Sequence, residues 1–245
     1  MSEIEETAKA TQEVAKATSN ALDKAEKAGT FIAKYIDVPL TEITAIWNDK
    51  LKYRRWENQL NLWMKANKKL KNLGLDSPNH ELPLKLGLPL IEAASLEEDD
   101  RLQELWANLL VNSSTGFSLE RSYINVLEQL SLLEARILIE IYSNFEYKRN
   151  NIYIINSKYL PKFIQIKHIQ VIDSKEEETI LYDTLNDNDN DTILNSETHL
   201  ALINLARLQC IEGSATFGGG TKYERITPTL FGAKLYEAVK EPTKQ

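Results

Sequence analysis

Eight cations stand between Lys50 and Lys71 (Lys50, Lys52, Arg54, Arg55, Lys65, Lys68, Lys69 and Lys71) against one acid, Glu57, a net +7. At helical spacing Lys50, Arg54, Asn58, Asn61, Lys65 and Lys69 form one stripe, and Trp56, Leu60, Trp63 and Leu70 another. A solvated row of cations can contact the phosphates of nucleic acid or of an anionic membrane surface. The same row can be the polar side of an amphipathic helix, neutralised within the molecule by Glu97, Glu98, Asp99 and Asp100. The second reading is favoured, because the whole chain carries −7 and is poorly suited to hold a polyanion.

Other constellations fall short of chemistry. Glu92, Glu97, Glu98, Asp99, Asp100 and Glu104 have the composition of a metal-dependent nuclease site, but helix capping accounts for most of them and no histidine joins. His80, His168 and His199 are scattered. Gly213 and Gly218 have the spacing of a phosphate-binding loop, yet Gly219 and Gly220 stand where Lys and Ser or Thr are required. Asn186, Asn188, Asn190 and Glu197 echo a calcium loop in which Asp191 replaces the turn glycine. The single cysteine, Cys210, excludes an internal disulfide framework and is expected in the core as an inert thiol. No catalytic set, metal site or cofactor is expected, and the chain reads as a non-enzyme.

The elements that must position these residues change character along the chain. Residues 3–28 repeat AKATQEV, AKATSNA and LDKAEKA, a narrow seam of Ala8, Val14, Ala15, Ala21, Leu22 and Ala28 on one helix. A long helix is expected from about Leu40 to Leu73, with Gly74 just past its end. The linker LDSPNHELP leads to helices over Leu84–Ala94, Leu96–Ser113 and Leu119–Leu130. Ser95 with Glu98 is expected to form the capping box of the second, whose apolar face is Leu102, Leu105, Trp106, Leu109 and Leu110.

Ser131 and Glu134 form a second capping box and open LLEARILIEIYSNF. NIYII is β-prone, SKYLPKFI reads as a short helix, and the stretch beyond it is polar and acidic. The helix ILNSETHLALINLARLQ follows. CIEGSATF and KYERIT flank a glycine triplet, a hairpin signal, and PTLFGAKLYEAV is a helix with Pro228 near its first position. That order is winged-helix-like. Its candidate recognition helix, Ile193 to Gln209, offers Asn195, Asn204, Arg207 and Gln209 but no lysine, and from Ser131 onward 13 cations face 16 acids. Docking on a DNA backbone needs several cations, so a protein partner is the favoured ligand, with Lys222 and Arg225 in the wing the residues for DNA contact otherwise.

Four stretches carry a family resemblance: PLKLGLPLIEAASLEEDDRLQELWANLL (from Pro83), YRRWENQL (Tyr53 to Leu60), LSLLEARIL (Leu130 to Leu138) and ITPTLFGAKLYEA (Ile226 to Ala238). Together the chain from about Lys34 resembles the abortive infection alpha family, interrupted between Tyr142 and Leu194. The resemblance implies a bacterial protein associated with phage defence.

The expected architecture is mainly α: an Ala/Lys/Glu-rich helical segment over 1–38, a helical bundle with the long helix over 39–130, and a winged-helix-like α+β domain with a small β-hairpin over 131–245. An acidic insertion lies near 173–192. The N-terminus is acidic without an apolar core, and no window approaches the roughly 18 apolar residues of a membrane span, so a cytoplasmic protein is expected. The expected mode of action is protein–protein contact, with self-association also open. The alternatives are a nucleic-acid-binding regulator, using the basic helix or the wing, and a peripheral membrane effector.

Overall fold

The computed structural model describes residues 52–144, 146–162, 169–173, 194–215 and 219–244. Among these residues the chain is mainly helical, with seven α-helices, one 3-10 turn and a small antiparallel sheet. The Ala-rich repeat, Lys50, the asparagines of the calcium-loop echo, His168 and nearly all of the acidic stretch 173–192 lie outside the described residues. The described residues fall into two compact units. One runs to Ile124 and includes the residues from Glu241 on; the other is Asn125–Lys240.

In the first unit α1 (Lys52–Leu73) packs along α3 (Asp100–Ser114), with α2 (Leu84–Ala94) against both. Gly74 ends α1 at φ +81°, a left-handed position that glycine adopts without a Cβ penalty. Its N–H bonds the Lys71 carbonyl and that of Leu75 bonds Leu70, both at 2.9 Å, a Schellman closure. Of the expected stripe Trp56, Leu60, Trp63 and Leu70, only Leu70 lies on the fully buried face of α1. Leu62, Ala66 and Leu70, four residues apart, are at most 2% exposed, whereas Trp56, Leu60 and Trp63 are half-buried. Amphipathic rings suit the margins of a contact, while small Ala66 lets the backbones approach at its centre.

The corner between α2 and α3 corrects the expected capping. Ser95 closes α2 instead of opening α3: its N–H bonds the carbonyls of Ile91 and Glu92, and its hydroxyl donates to Glu92 O at 2.6 Å. Asp99 is the cap of α3, with Oδ1 accepting from Arg101 N (2.8 Å) and Leu102 N (3.3 Å). The serine matches the capping pattern in sequence but its hydroxyl is engaged by the preceding helix, so the free carboxylate takes the role. Leu102, Leu105, Trp106, Leu109 and Leu110 are all buried as expected, each contributing about 1.5–3 kcal/mol. The next helix, α4 (Arg121–Leu127), is shorter than the expected 119–130, although Leu119 and Leu130 are buried beyond its ends.

The second unit opens with α5 (Leu132–Ser143). The Ser131 and Glu134 capping box is present in full: Ser131 N donates to Glu134 Oε2 at 2.5 Å and Glu134 N to Ser131 Oγ at 3.4 Å. Strand β1 (Asn151–Asn156) follows, then a 3-10 turn over Ser157–Tyr159 at the start of SKYLPKFI, the stretch expected to be short and helical, whose last two residues lie outside the described ones. Ile169–Asp173 is a strand, β2, where the sequence reads only as polar and acidic. It is an edge strand with Val171 half exposed, and its stability comes from pairing with β1, which no local pattern announces. Then come α6 (Ser196–Arg207), β3 (Ile211–Ala215), β4 (Thr221–Pro228) and α7 (Leu230–Val239).

The sheet order is β2-β1-β4-β3, antiparallel throughout. Ile137, Leu138 and Ile141 of α5, Leu202 and Leu205 of α6, Ile155 and Ile226 of the sheet, and Leu235 and Val239 of α7 form its fully buried core. Pro228 ends β4 opposite Ile211 instead of starting α7; Thr229 caps that helix, its hydroxyl accepting from Gly232 N at 3.0 Å.

Candidate functional site

The polar stripe of α1 lies against the acids of α3. Arg54 meets Glu98 at 2.9 Å. One turn on, Asn58 Nδ2 donates to Ser95 O at 3.0 Å, and its Oδ1 accepts from Gln103 Nε2 at 3.3 Å. Gln103, 3% exposed, also donates to Glu97 O at 2.7 Å. Lys65 bridges Asp100 (2.9 Å) and Glu104 (2.6 Å). Lys69 bridges Glu104 (2.7 Å) and Glu241 (2.7 Å). Asn61 is half-buried, and Lys68, Arg55 and Lys71 are exposed.

The electrostatics follow from burial and pairing. Burial alone pulls the Lys65 ammonium down, but hydrogen bonds and charge from Glu104 and Asp100 outweigh it and hold it above its ordinary value. Burial alone raises the Glu104 carboxyl, and the two lysines outweigh that and hold it below. Asp99 is lowered by the Arg101 side chain and by the backbone N–H groups it caps. The stripe is thus a ladder of ion pairs and amide bonds, able to fix α1 to α3 and to present lysines at one end. Glu98, Asp99, Asp100 and Glu104 each have a cation or cap partner, Glu97 accepts from Asp99 N, and Glu92 is exposed on α2.

Sequence reading misses two members of this ladder. Glu241 lies far down the chain from Lys69, and no spacing connects them. Gln103 carries a faint signal, a polar residue between buried Leu102 and Leu105.

In the second unit Lys222 is exposed on β4 and Arg225 half-buried. The register passes from Gly213–Ile226 to Ser214–Lys222, so Tyr223, Glu224 and Arg225 bulge from the β3 ladder. Ser214 Oγ donates to Arg225 O at 3.0 Å, and the Tyr223 ring lies 5.8 Å from His199. Gly213, one of the apparent phosphate-loop glycines, sits in β3, where a Cβ would stand 2.7 Å from Lys222 O. Asn195 caps α6, accepting from Glu197 N at 3.1 Å. Asn204 Nδ2 donates to Glu134 Oε1 at 2.6 Å, and its Oδ1 accepts from Arg207, which also donates to Gln129 at 2.9 Å. Gln209 takes a left-handed turn at φ 60° as α6 ends.

Behind these groups is a buried polar knot. Tyr142 OH donates to Cys210 O at 2.5 Å and accepts from Thr229 N at 2.9 Å, tying α5 to the starts of β3 and α7. Cys210 is fully buried; burial and then Glu134 push its thiol up to about 12. Among the described residues no group of three or more His, Cys, Asp or Glu side chains is placed to hold a metal ion, and no helix is long and apolar enough to cross a membrane.

A mainly helical chain with a small antiparallel sheet, whose charges pair helix to helix, defines a class by architecture more than by chemistry. The abortive infection alpha family model matches residues 57–243, and the chain belongs to that family, associated by name with abortive-infection-type defence. No curated protein and no solved structure matches it.

Proposed function

We propose that the chain is a phage-defence protein that acts without catalysis, by binding a protein partner through its second unit. The observation that carries this reading is on α6. Leu200 is 66% exposed and Ile203 40%, three residues apart on one helical face. A helix that reads DNA offers cations and amides there; this one offers an apolar pair. Its amides are engaged elsewhere, Asn195 in a cap and Asn204 with Glu134 and Arg207. The unit runs α5, β1, a 3-10 turn, β2, α6, β3, β4 and α7, and we read it as winged-helix-like, with β2 added at the sheet edge and α6 in the place of the recognition helix. The paired stripe of α1 supports a structural role for its cations over contact with nucleic acid or membrane.

The experiment is a pull-down from infected and uninfected cells, comparing the intact chain with the Leu200→Glu/Ile203→Glu double variant. Both positions are exposed, so the fold is expected to hold, checked by an unchanged melting temperature. The reading expects a partner retained by the natural chain and lost from the variant. Equal retention by both refutes it, as does duplex DNA binding that falls steeply with added salt and survives the double substitution.

A further inference from the structure

A cleft of about 460 Å³ in the first unit is lined by Lys65, Lys68, Lys69, Asn72, Glu104 and Glu241, within the size range of ligand pockets, about 300–1,000 Å³. One of its walls differs from the rest. Glu104 belongs to α3 and holds both Lys65 and Lys69, whereas Glu241 stands two residues after α7 and touches the cleft through Lys69. The Glu241 side chain is 63% exposed and that of Lys69 only 7%. A buried ammonium needs a carboxylate partner, while an exposed glutamate holds its place by a contact that solvent weakens. Glu104 keeps Lys69 paired when Glu241 leaves, so the cleft can exchange Glu241 without stranding a buried charge.

The geometry points to a binding cleft for an acidic peptide segment, in which Glu241 is the chain's own removable occupant: a partner's carboxylate replaces it on Lys69 and reaches Lys68 and Asn72. The charge balance favours a side-chain carboxylate over a phosphate. With Glu241 withdrawn, Lys65, Lys68 and Lys69 face Glu104 and Asp100, leaving a single positive charge. That suits one carboxylate, whereas a polyphosphate brings further charge against Glu104. The inference deepens the protein-contact reading and rests on it, by giving the chemistry of a segment the partner supplies to the first unit.

The test is fluorescence anisotropy of a labelled, end-blocked, glycine-rich peptide carrying a single glutamate, titrated with the full chain at low salt. Glu241→Gln clears the cleft and is expected to tighten binding about two- to fivefold, the worth of an exposed ion pair. Glu237→Gln removes the same charge from a residue paired with Lys240, outside the cleft, and is expected to leave affinity unchanged. Lys68→Gln changes an exposed side chain, leaves folding intact, and is expected to weaken the peptide. The proposal is overturned by no binding, by equal affinity in the natural chain and Glu241→Gln, or by an equal gain in Glu237→Gln. It is also overturned if inorganic pyrophosphate displaces the peptide more effectively than unlabelled peptide does. None of these results bears on Leu200 and Ile203, so the α6 reading stands or falls separately.

Discussion

Tyr142 is the residue on which the second unit's geometry turns. The residue is 3% exposed, and its hydroxyl satisfies the Cys210 carbonyl and the Thr229 N–H where two elements begin. Burial raises the phenol far above its ordinary value, so it stays a neutral donor at any working pH. Tyr142→Phe leaves buried backbone groups unpaired and is expected to cost about 1–3 kcal/mol in urea unfolding. Gly232 stands beside the same hydroxyl because a Cβ there would overlap Tyr142 and the Cys210 carbonyl. At the other titrating centre the sign is set by Glu104. Its folded-state carboxyl is held below the ordinary 4.5, so the stability it contributes is present above that value and is lost as pH falls through the lowered one. Lys65 is raised above 10.5, so its contribution is present below that value and fades as pH rises through the raised one. Acid titration of the unfolding midpoint is therefore expected to show a fall below pH 4.5 that is shallower in Glu104→Gln.

At the scale of elements, helix ends decide what could be read in advance. Gly74 and the Ser131–Glu134 box were legible because each uses atoms within a few residues of itself. Ser131→Ala is expected to cost about 0.5–2 kcal/mol by thermal unfolding, as loss of an N-cap does. Ser95 carried the same kind of pattern and serves a different helix, because a serine hydroxyl can donate backward to Glu92 O as readily as it can accept from N–H groups ahead. Strand β2 was not legible: its residues acquire meaning only through the register with β1, Ile169 against Ile155 and Asp173 against Asn151. On α1 the stripe of Trp56, Leu60, Trp63 and Leu70 meets the buried face at Leu70 alone, and the small Ala66, fully buried between Leu62 and Leu70, carries no apolar signal of comparable size.

For the whole molecule, the charge pattern was the most legible part of the candidate site. The opposition of the α1 cations to the acids near Asp100 could be foreseen from sequence, and Arg54–Glu98 and Lys65–Asp100 realise it. Glu241 on Lys69 and Tyr142 on Cys210 and Thr229 could not, because each joins residues distant in the chain through the fold alone. On the function proposed above, this family member protects cells through the exposed apolar face of α6. The most direct measurement is the efficiency of phage plating on cells expressing the natural chain or Leu200→Glu/Ile203→Glu, with equal abundance and equal melting temperature verified. Protection lost in the double variant is the predicted result, and full protection by it contradicts the claim.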